Sequence, residues 1–263
     1  MQPWLIVPGL GPLATYYACI ALGLSLGVVT LAREGRREGL ASRALFDTAL
    51  IVVPASGLGA RLFLVFADPA RFLADPWLLL SPSGGFVFHG ALIVGMLAVL
   101  GLGRLRGLDP WRVGDVYAPS VAMGQVFARL GCLGAGCCHG RPADWPLGVD
   151  VPWAVTYLQH GRLPEPLLAV PLHPSPIYES WMMIGLFAGL SWLRRRQRYP
   201  GQALVAFLGW YGVGRFVLEA FRGDAGRGMW LGGWMSSGQV TSVVLVGTAL
   251  LLHRWRLATC TPS

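Results

Sequence analysis

Apolar residues gather in seven stretches, at roughly 13–32, 45–67, 86–103, 114–133, 176–193, 202–221 and 236–253. Each is close to the ~20 residues an α-helix needs to cross a hydrocarbon core. Polar residues interrupt the fourth and sixth, and short turns separate the stretches except for a longer segment at about 134–175. The pattern predicts an all-α polytopic membrane protein of about seven transmembrane helices. Residues 1–263 read as one integral-membrane domain, with no repeat of fixed period and no soluble domain. The long segment, with Trp145, Trp153 and Tyr157, is expected to lie over the outer face and has a candidate role in admitting an acceptor.

Composition strengthens this reading. Charged residues make up 13% of the chain, about half the share usual in soluble domains. Glycine and tryptophan are frequent, as small residues pack membrane helices and indoles anchor at interfaces. The net charge of +8 comes entirely from 21 arginines, with no lysine. They cluster after alternate stretches: Arg33, Arg36, Arg37 and Arg43; then Arg104, Arg106 and Arg112; then Arg194, Arg195, Arg196 and Arg198; then Arg254 and Arg256. Thirteen therefore fall on one side, against five on the other. The positive-inside rule places the N-terminus outside and the C-terminus in the cytoplasm. Membrane lipids, not nucleic acid, are the partners such clusters suit, because no water-exposed basic domain is present to bind a polynucleotide. Met1-Gln2-Pro3-Trp4 lacks a positive leader region, so the first stretch is expected to be a retained span.

Arg61, Arg129 and Arg215 lie within stretches that run outward, each in the later part. His89, Tyr178 and Glu179 open stretches that start outside, Tyr17 lies early in the first, and Glu219 is near the outer end of the sixth. All are thus expected at one leaflet. Each mid-bilayer arginine costs ~2.5–3.5 kcal/mol on insertion scales, so a convergent set calls for partners or a ligand. Snorkelling, or an ion pair such as Arg215 with Glu219 at i,i+4, is the plainer alternative. Guanidiniums bind phosphate oxygens in pairs, and a histidine beside them can exchange a proton near neutral pH. Phospholipid chemistry at the outer leaflet is the chemistry that combination suits. Three glycines, Gly84, Gly85 and Gly90, surround His89 and permit close backbone approach, although an ordinary glycine-rich loop entering a helix would look the same.

At these residues the sequence resembles the prolipoprotein diacylglyceryl transferase family, with five elements in order. Gly59-Ala60-Arg61 is similar to the family's Gly-x-Arg element, and Phe88-His89-Gly90-Ala91-Leu92-Ile93 to His-Gly-Gly-Leu-Ile-Gly. Gly124 to Gly131, containing Arg129, resembles the start of Gly-Arg-x-Gly-Asn. His173-Pro174-Ser175-Pro176-Ile177-Tyr178-Glu179 resembles His-Pro-Ser-Gln-x-Tyr-Glu, and Arg215 to Arg222 resembles Arg-x-x-x-Glu-x-x-Arg. The resemblance implies seven membrane helices in the bacterial cytoplasmic (inner) membrane, with a centre open to the periplasmic or outer side. It implies transfer of the diacylglyceryl group of phosphatidylglycerol to the lipobox cysteine thiol of a secreted prolipoprotein, releasing glycerol phosphate. No cofactor and no metal are implied. Carried over by motif, His89 serves the acid–base step, Arg129 and Arg215 hold the departing phosphate, and Glu219 orients Arg215. Tyr17, Arg61, Gly140, Arg141, Tyr178, Glu179 and Arg222 are the implied substrate-binding residues, with Tyr17 in the lipid pocket although Ala18 replaces the family's glycine.

The family pattern Arg-x-Gly-Asn-Phe-x-Asn-Gly-Glu-x-x-Gly-Arg departs here. Arg129, Gly131, Gly136, Gly140 and Arg141 keep the scaffold, whereas Cys132 and Ala135 replace the asparagines and Cys137 the glutamate. With Cys138 and His139 following, several readings stay open: packing in a glycine-rich turn, a disulfide, a reactive thiolate beside arginines, or a Cys/His metal site. Cys19 and Cys260 look isolated. A lipid-modifying transferase is the leading function; the alternative is a cysteine-dependent membrane oxidoreductase, or a transferase-like enzyme with another lipid acceptor. A lipid or anion transporter finds no support, because no inverted repeat or paired broken helix is visible.

Overall fold

The computed structural model describes residues 4–7, 11–67, 73–79, 88–143, 155–156, 165–167, 169–223, 229–230 and 234–260. Among them are seven long helices: α1 (Thr15–Arg37), α2 (Ser42–Ala67), α3 (Phe88–Leu105), α4 (Pro110–Ala135), α5 (Ser175–Arg194), α6 (Gln202–Leu218) and α7 (Ser237–Cys260). A 3-10 turn, Glu219–Phe221, continues α6. The all-α class expected from the apolar pattern is therefore observed. Three small antiparallel ribbons complete the described structure: β1 (Trp4–Val7) with β2 (Gly11–Ala14), β3 (Val155–Thr156) with β4 (Pro171–Leu172), and β5 (Met229–Trp230) with β6 (Met235–Ser236).

Among the described residues, four helical stretches are long and apolar enough to cross a membrane: Thr15–Arg37, Ser42–Phe63, Gln202–Phe221 and Ser237–Cys260. Gly90–Leu105 within α3 is a shorter apolar helix. The remaining two carry buried charge, Asp115 and Arg129 on α4 and Glu179 on α5. Leu50 and Leu58 on α2, Trp181 on α5, Val213 on α6 and Leu251 on α7 all face outward, exposed. Water-soluble monomers rarely carry apolar surface on this scale, so these faces fit lipid.

α4 is the central helix and packs on α1, α3, α5 and α6. Its buried residues lie on every side, including Val113, Val116, Ala122 and Leu133, as expected of a helix surrounded by others. Asp109 caps its start by accepting from the Trp111 N–H at 3.0 Å, and Pro110 occupies the first position, where no N–H is needed. The main apolar core joins Ala122 and Val126 of α4 to Met183 and Leu190 of α5, Phe207 and Tyr211 of α6, and Leu245 of α7. α2 and α3 pack backbone to backbone at Gly59 and Gly90, where a Cβ on either glycine would lie within 2.6 Å of the other's carbonyl oxygen. That crossing brings the backbones next to Arg61 and His89 together.

At the opposite end, Asp115 of α4 accepts from the backbone N–H groups of Gly201 (2.6 Å), Ala203 (2.8 Å) and Leu204 (3.0 Å), and from the Gln197 amide. These are N–H groups at the start of α6, which its own first turn leaves without partners. Arg194 of α5 reaches Glu34 (3.2 Å) and Glu38 (3.1 Å) beside α1.

Candidate active site

The site begins where α4 stops. Gly136 adopts a left-handed conformation, φ 68°, and its N–H turns back to the carbonyls of the last turn. The chain then runs extended from His139 to Ala143 and is held on both sides. The Arg141 N–H donates to Phe221 (3.0 Å) and the Gly223 N–H to His139 (3.2 Å). On the other flank, the Gly140 N–H donates to His173 (3.1 Å), the His173 N–H to Arg141 (3.0 Å) and the Ala143 N–H to Pro171 (2.9 Å). A Cβ on Gly140 would sit 2.3 Å from the His173 carbonyl oxygen, so this strand-like strip requires glycine there. It ties the end of α4 to the start of α5 and the end of α6.

Those three helix ends bring five charged side chains together. Glu179 of α5 is 1% exposed and is the hub. It pairs with Arg129 Nε at 2.8 Å, Arg215 Nη1 at 3.0 Å and Arg222 Nη1 at 2.9 Å. Arg215 Nη2 also meets Glu219 at 2.5 Å, the i,i+4 pair expected from spacing. The hydroxyl of Ser236 donates to Glu219 at 2.9 Å. Gly238, in the first turn of α7, packs directly on the Glu219 carboxylate, so the positive end of that helix faces it. Three buried guanidiniums thus share two buried carboxylates. Taking this many ions from water is costly unless they are mutually paired. Among the described residues these five side chains sum to one positive charge, a setting suited to an anionic group.

The three thiols join this cluster. The sulfurs of Cys132, Cys137 and Cys138 lie within 4.8 Å of one another, and none is in a disulfide. Arg129 Nη1 donates to Cys138 Sγ at 3.8 Å. Hydrogen bonds from the Cys132 and Cys137 thiols, then the charges of Arg129 and Arg222, hold the Cys138 thiol well below its ordinary pKa. Cys19 and Cys260 lie elsewhere, on α1 and at the end of α7.

Of the other residues singled out from sequence, Tyr178 lies beside the cluster. Its hydroxyl meets His173 Nδ1 at 3.2 Å, and both rings pack edge-on against Phe221. Burial, then the Arg141 charge, lowers the His173 pKa from its ordinary value. Arg141 itself is exposed, with its backbone fixed in the strip. Arg61 is half-buried on α2. Tyr17 is 61% exposed on α1, edge-on to Tyr16. It stands one turn before Ile20, which lines an apolar cleft, and is not itself among the lining residues. His89 is in the first turn of α3, but its side chain is outside the described atoms, as are residues 83–87 and Trp145, Trp153 and Tyr157.

That cleft encloses about 320 Å³ between α1, α2, α3, α4 and α6, with Leu24, Val53, Leu92, Met96 and Phe207 among its walls. Along α4 it extends from Gly114 to Ala128, a rise of about 21 Å, long enough for an acyl chain. Its last lining residue on α4, Ala128, precedes Arg129, so the cleft reaches the level of the charged cluster along α4, although no residue of the cluster lines it.

Ser236 and His173 were not singled out as site residues from the sequence. Ser236 carried a signal: Ser236 and Gln239 form a reciprocal cap at the start of α7, at 3.0 and 3.2 Å, visible as Ser-x-x-Gln.

A family model described as prolipoprotein diacylglyceryl transferase matches residues 5–255. Phosphatidylglycerol–prolipoprotein diacylglyceryl transferase of Clostridium tetani is 32% identical over 212 residues, covering 80% of each chain. The protein of that name from Halalkalibacterium halodurans is 32% identical over 264 residues, covering 95% of this chain and 85% of its own. The one from Geobacillus kaustophilus is 30% identical over 258 residues, covering 92% and 88%. With a matched family whose elements run from the first helix to the last, this chain belongs to the prolipoprotein diacylglyceryl transferases.

Proposed function

We propose that this protein transfers the diacylglyceryl group of phosphatidylglycerol to the lipobox cysteine thiol of a secreted prolipoprotein, releasing glycerol phosphate. The observation that carries the reading is the set of three buried guanidiniums around Glu179, one of them on a helix whose preceding turns line an acyl-sized apolar cleft. The names of the relatives supply the two substrates.

In this reading an acyl chain of the lipid occupies the cleft and the phosphodiester rests against Arg129 and Arg215. The acceptor thiol gives its proton to His89, and the sulfur attacks the glyceryl carbon bonded to the phosphate oxygen. As the carbon–oxygen bond breaks, the phosphate passes from a singly charged diester to a doubly charged monoester. Fixed guanidiniums in a dry site are most effective against charge that develops in this way. Glu179 and Glu219 hold the three arginines in place; Tyr178, Arg61, Gly140, Arg141, Arg222 and Tyr17 line the substrate path. The chain forms one integral unit of seven spans in the bacterial cytoplasmic membrane, N-terminus outside, with the site toward the periplasmic or outer side. The arginine asymmetry supports that orientation.

The test is transfer by the purified protein from phosphatidylglycerol to a lipobox-cysteine peptide, read by the mass of the peptide. A diacylglyceryl adduct that disappears in His89→Ala is the expected result. Folded wild-type protein that modifies no peptide would overturn the reading.

A further inference from the structure

The three thiols are assembled by the way α4 ends. The Cys137 N–H bonds the Cys132 carbonyl at 3.1 Å and the Gly136 N–H bonds that of Leu133 at 3.3 Å, with Gly136 left-handed between them. This is the Schellman pattern, and it brings the side chains of its first and last residues into contact. Here those residues are Cys132 and Cys137. Cys138 is itself left-handed, φ 56°, an uncommon conformation for a residue with a side chain, and its sulfur completes a triangle within 4.8 Å. A local backbone motif therefore presents three sulfurs to one point.

We propose that Cys132, Cys137 and Cys138 bind one zinc ion through three thiolates and leave its fourth position for the acceptor thiol. Zinc–sulfur bonds of ~2.3 Å place tetrahedral sulfurs ~3.8 Å apart, so the triangle closes on an ion with ~1 Å of side-chain movement. Three protein ligands with an open position are the arrangement of reactive zinc sites, whereas structural sites are closed by four. Three thiolates and one divalent ion carry a net negative charge. Arg129, already donating to Cys138 Sγ, is placed to offset it and to orient the ligand from outside. The reaction implied by the resemblance calls for no metal; these thiols belong to this chain, with Cys132 and Cys137 where the family pattern has asparagine and glutamate and Cys138 at a position the pattern leaves open.

The inference rests on the transfer reading, which needs a thiolate nucleophile. A thiol bound to zinc is deprotonated outright. Its proton leaves to the base, the bound sulfur attacks the glyceryl carbon, and the electrons of the broken carbon–oxygen bond go to the phosphate oxygen. Zinc stays divalent throughout. The neutral thioether that forms is a weaker ligand than the thiolate, so product leaves and the position reopens.

Cobalt(II) is the probe, added to reduced full-length protein in detergent, because its sulfur charge-transfer absorption grows with the number of thiolate ligands. One equivalent bound with three-sulfur intensity, rising to four on adding a lipobox-cysteine peptide and not a serine version, is the expected result. Cys138→Ser and Cys132→Ser should each lose tight binding, while Cys19→Ser keeps it. Wild-type protein with reactive thiols that binds neither cobalt nor zinc would overturn the proposal, as would an intensity unchanged by the cysteine peptide. Peptide modification by chelator-treated, metal-free protein would likewise overturn it while leaving the transfer reading intact. Cobalt bound together with peptide thiolate in a protein that transfers nothing would do the reverse.

Discussion

Asp115 and Glu179 are both buried carboxylates that gather several donors from other helices, yet their surroundings differ in kind. Asp115 receives backbone N–H groups from the start of α6 and one amide. These donors are fixed dipoles whose only alternative partner is water, so the contact is complete and serves the fold. Glu179 receives three guanidiniums, two of them at the ends of helices that also face the thiols or Glu219. Among the described residues that cluster sums to one positive charge. Burial alone does not mark a reactive site; the type of donor, and whether charge remains after pairing, separates the two.

The comparison can be tested by removing each charge. Glu179→Gln leaves three buried guanidiniums with one carboxylate and is expected to cost about 3–5 kcal/mol of stability, with loss of transfer. Asp115→Asn should cost less, about 1–3 kcal/mol, and leave kcat unchanged. Thermal unfolding in detergent, alongside transfer rates, checks both; a collapse of kcat in Asp115→Asn would erase the distinction. Arg215→Lys keeps a cation beside Glu179 but loses the paired donor geometry. It should lower kcat about 100- to 1,000-fold with little change in melting temperature, the size seen when one transition-state donor is removed.

Ser236→Ala removes one hydrogen bond to Glu219 and one cap contact, about 1 kcal/mol. A drop in kcat without a change in KM would place its effect on Arg215 orientation. The smallest effect concerns His173. Its folded pKa lies below the ordinary 6.5, so the unfolded chain binds the proton more readily. Stability is therefore full above about 6.5 and falls as pH drops toward the folded value. His173→Phe should flatten that part of a melting curve series between pH 7 and 5; an unchanged slope would assign the acid sensitivity elsewhere.

Helix positions were largely legible in the apolar pattern. The stretch read as 176–193 is Ser175–Arg194, and 236–253 begins one residue from Ser237–Cys260. α1 runs five residues past its apolar stretch, through Arg33, Arg36 and Arg37, because Glu34 is held by Arg194 from α5, a contact 160 residues away. The Arg215–Glu219 pair follows from i,i+4 spacing. Glu179 as a hub does not, since it depends on α4, α5 and α6 ending at one place. The Asp115 cap is hidden in the sequence for the same reason: it acts on a helix 86–89 residues later. Cys132 and Cys137 were legible as neighbours in sequence, but their contact needs the left-handed Gly136 between them.

The most direct test of the account is whether glycerol phosphate, the expected leaving group, binds through these guanidiniums. Inhibition of peptide modification by added glycerol phosphate should be competitive with phosphatidylglycerol and at least tenfold weaker in Arg215→Lys, ~1.4 kcal/mol of lost binding. Equal inhibition in wild type, Arg215→Lys and Asp115→Asn would contradict the claim that the arginines around Glu179 receive the phosphate.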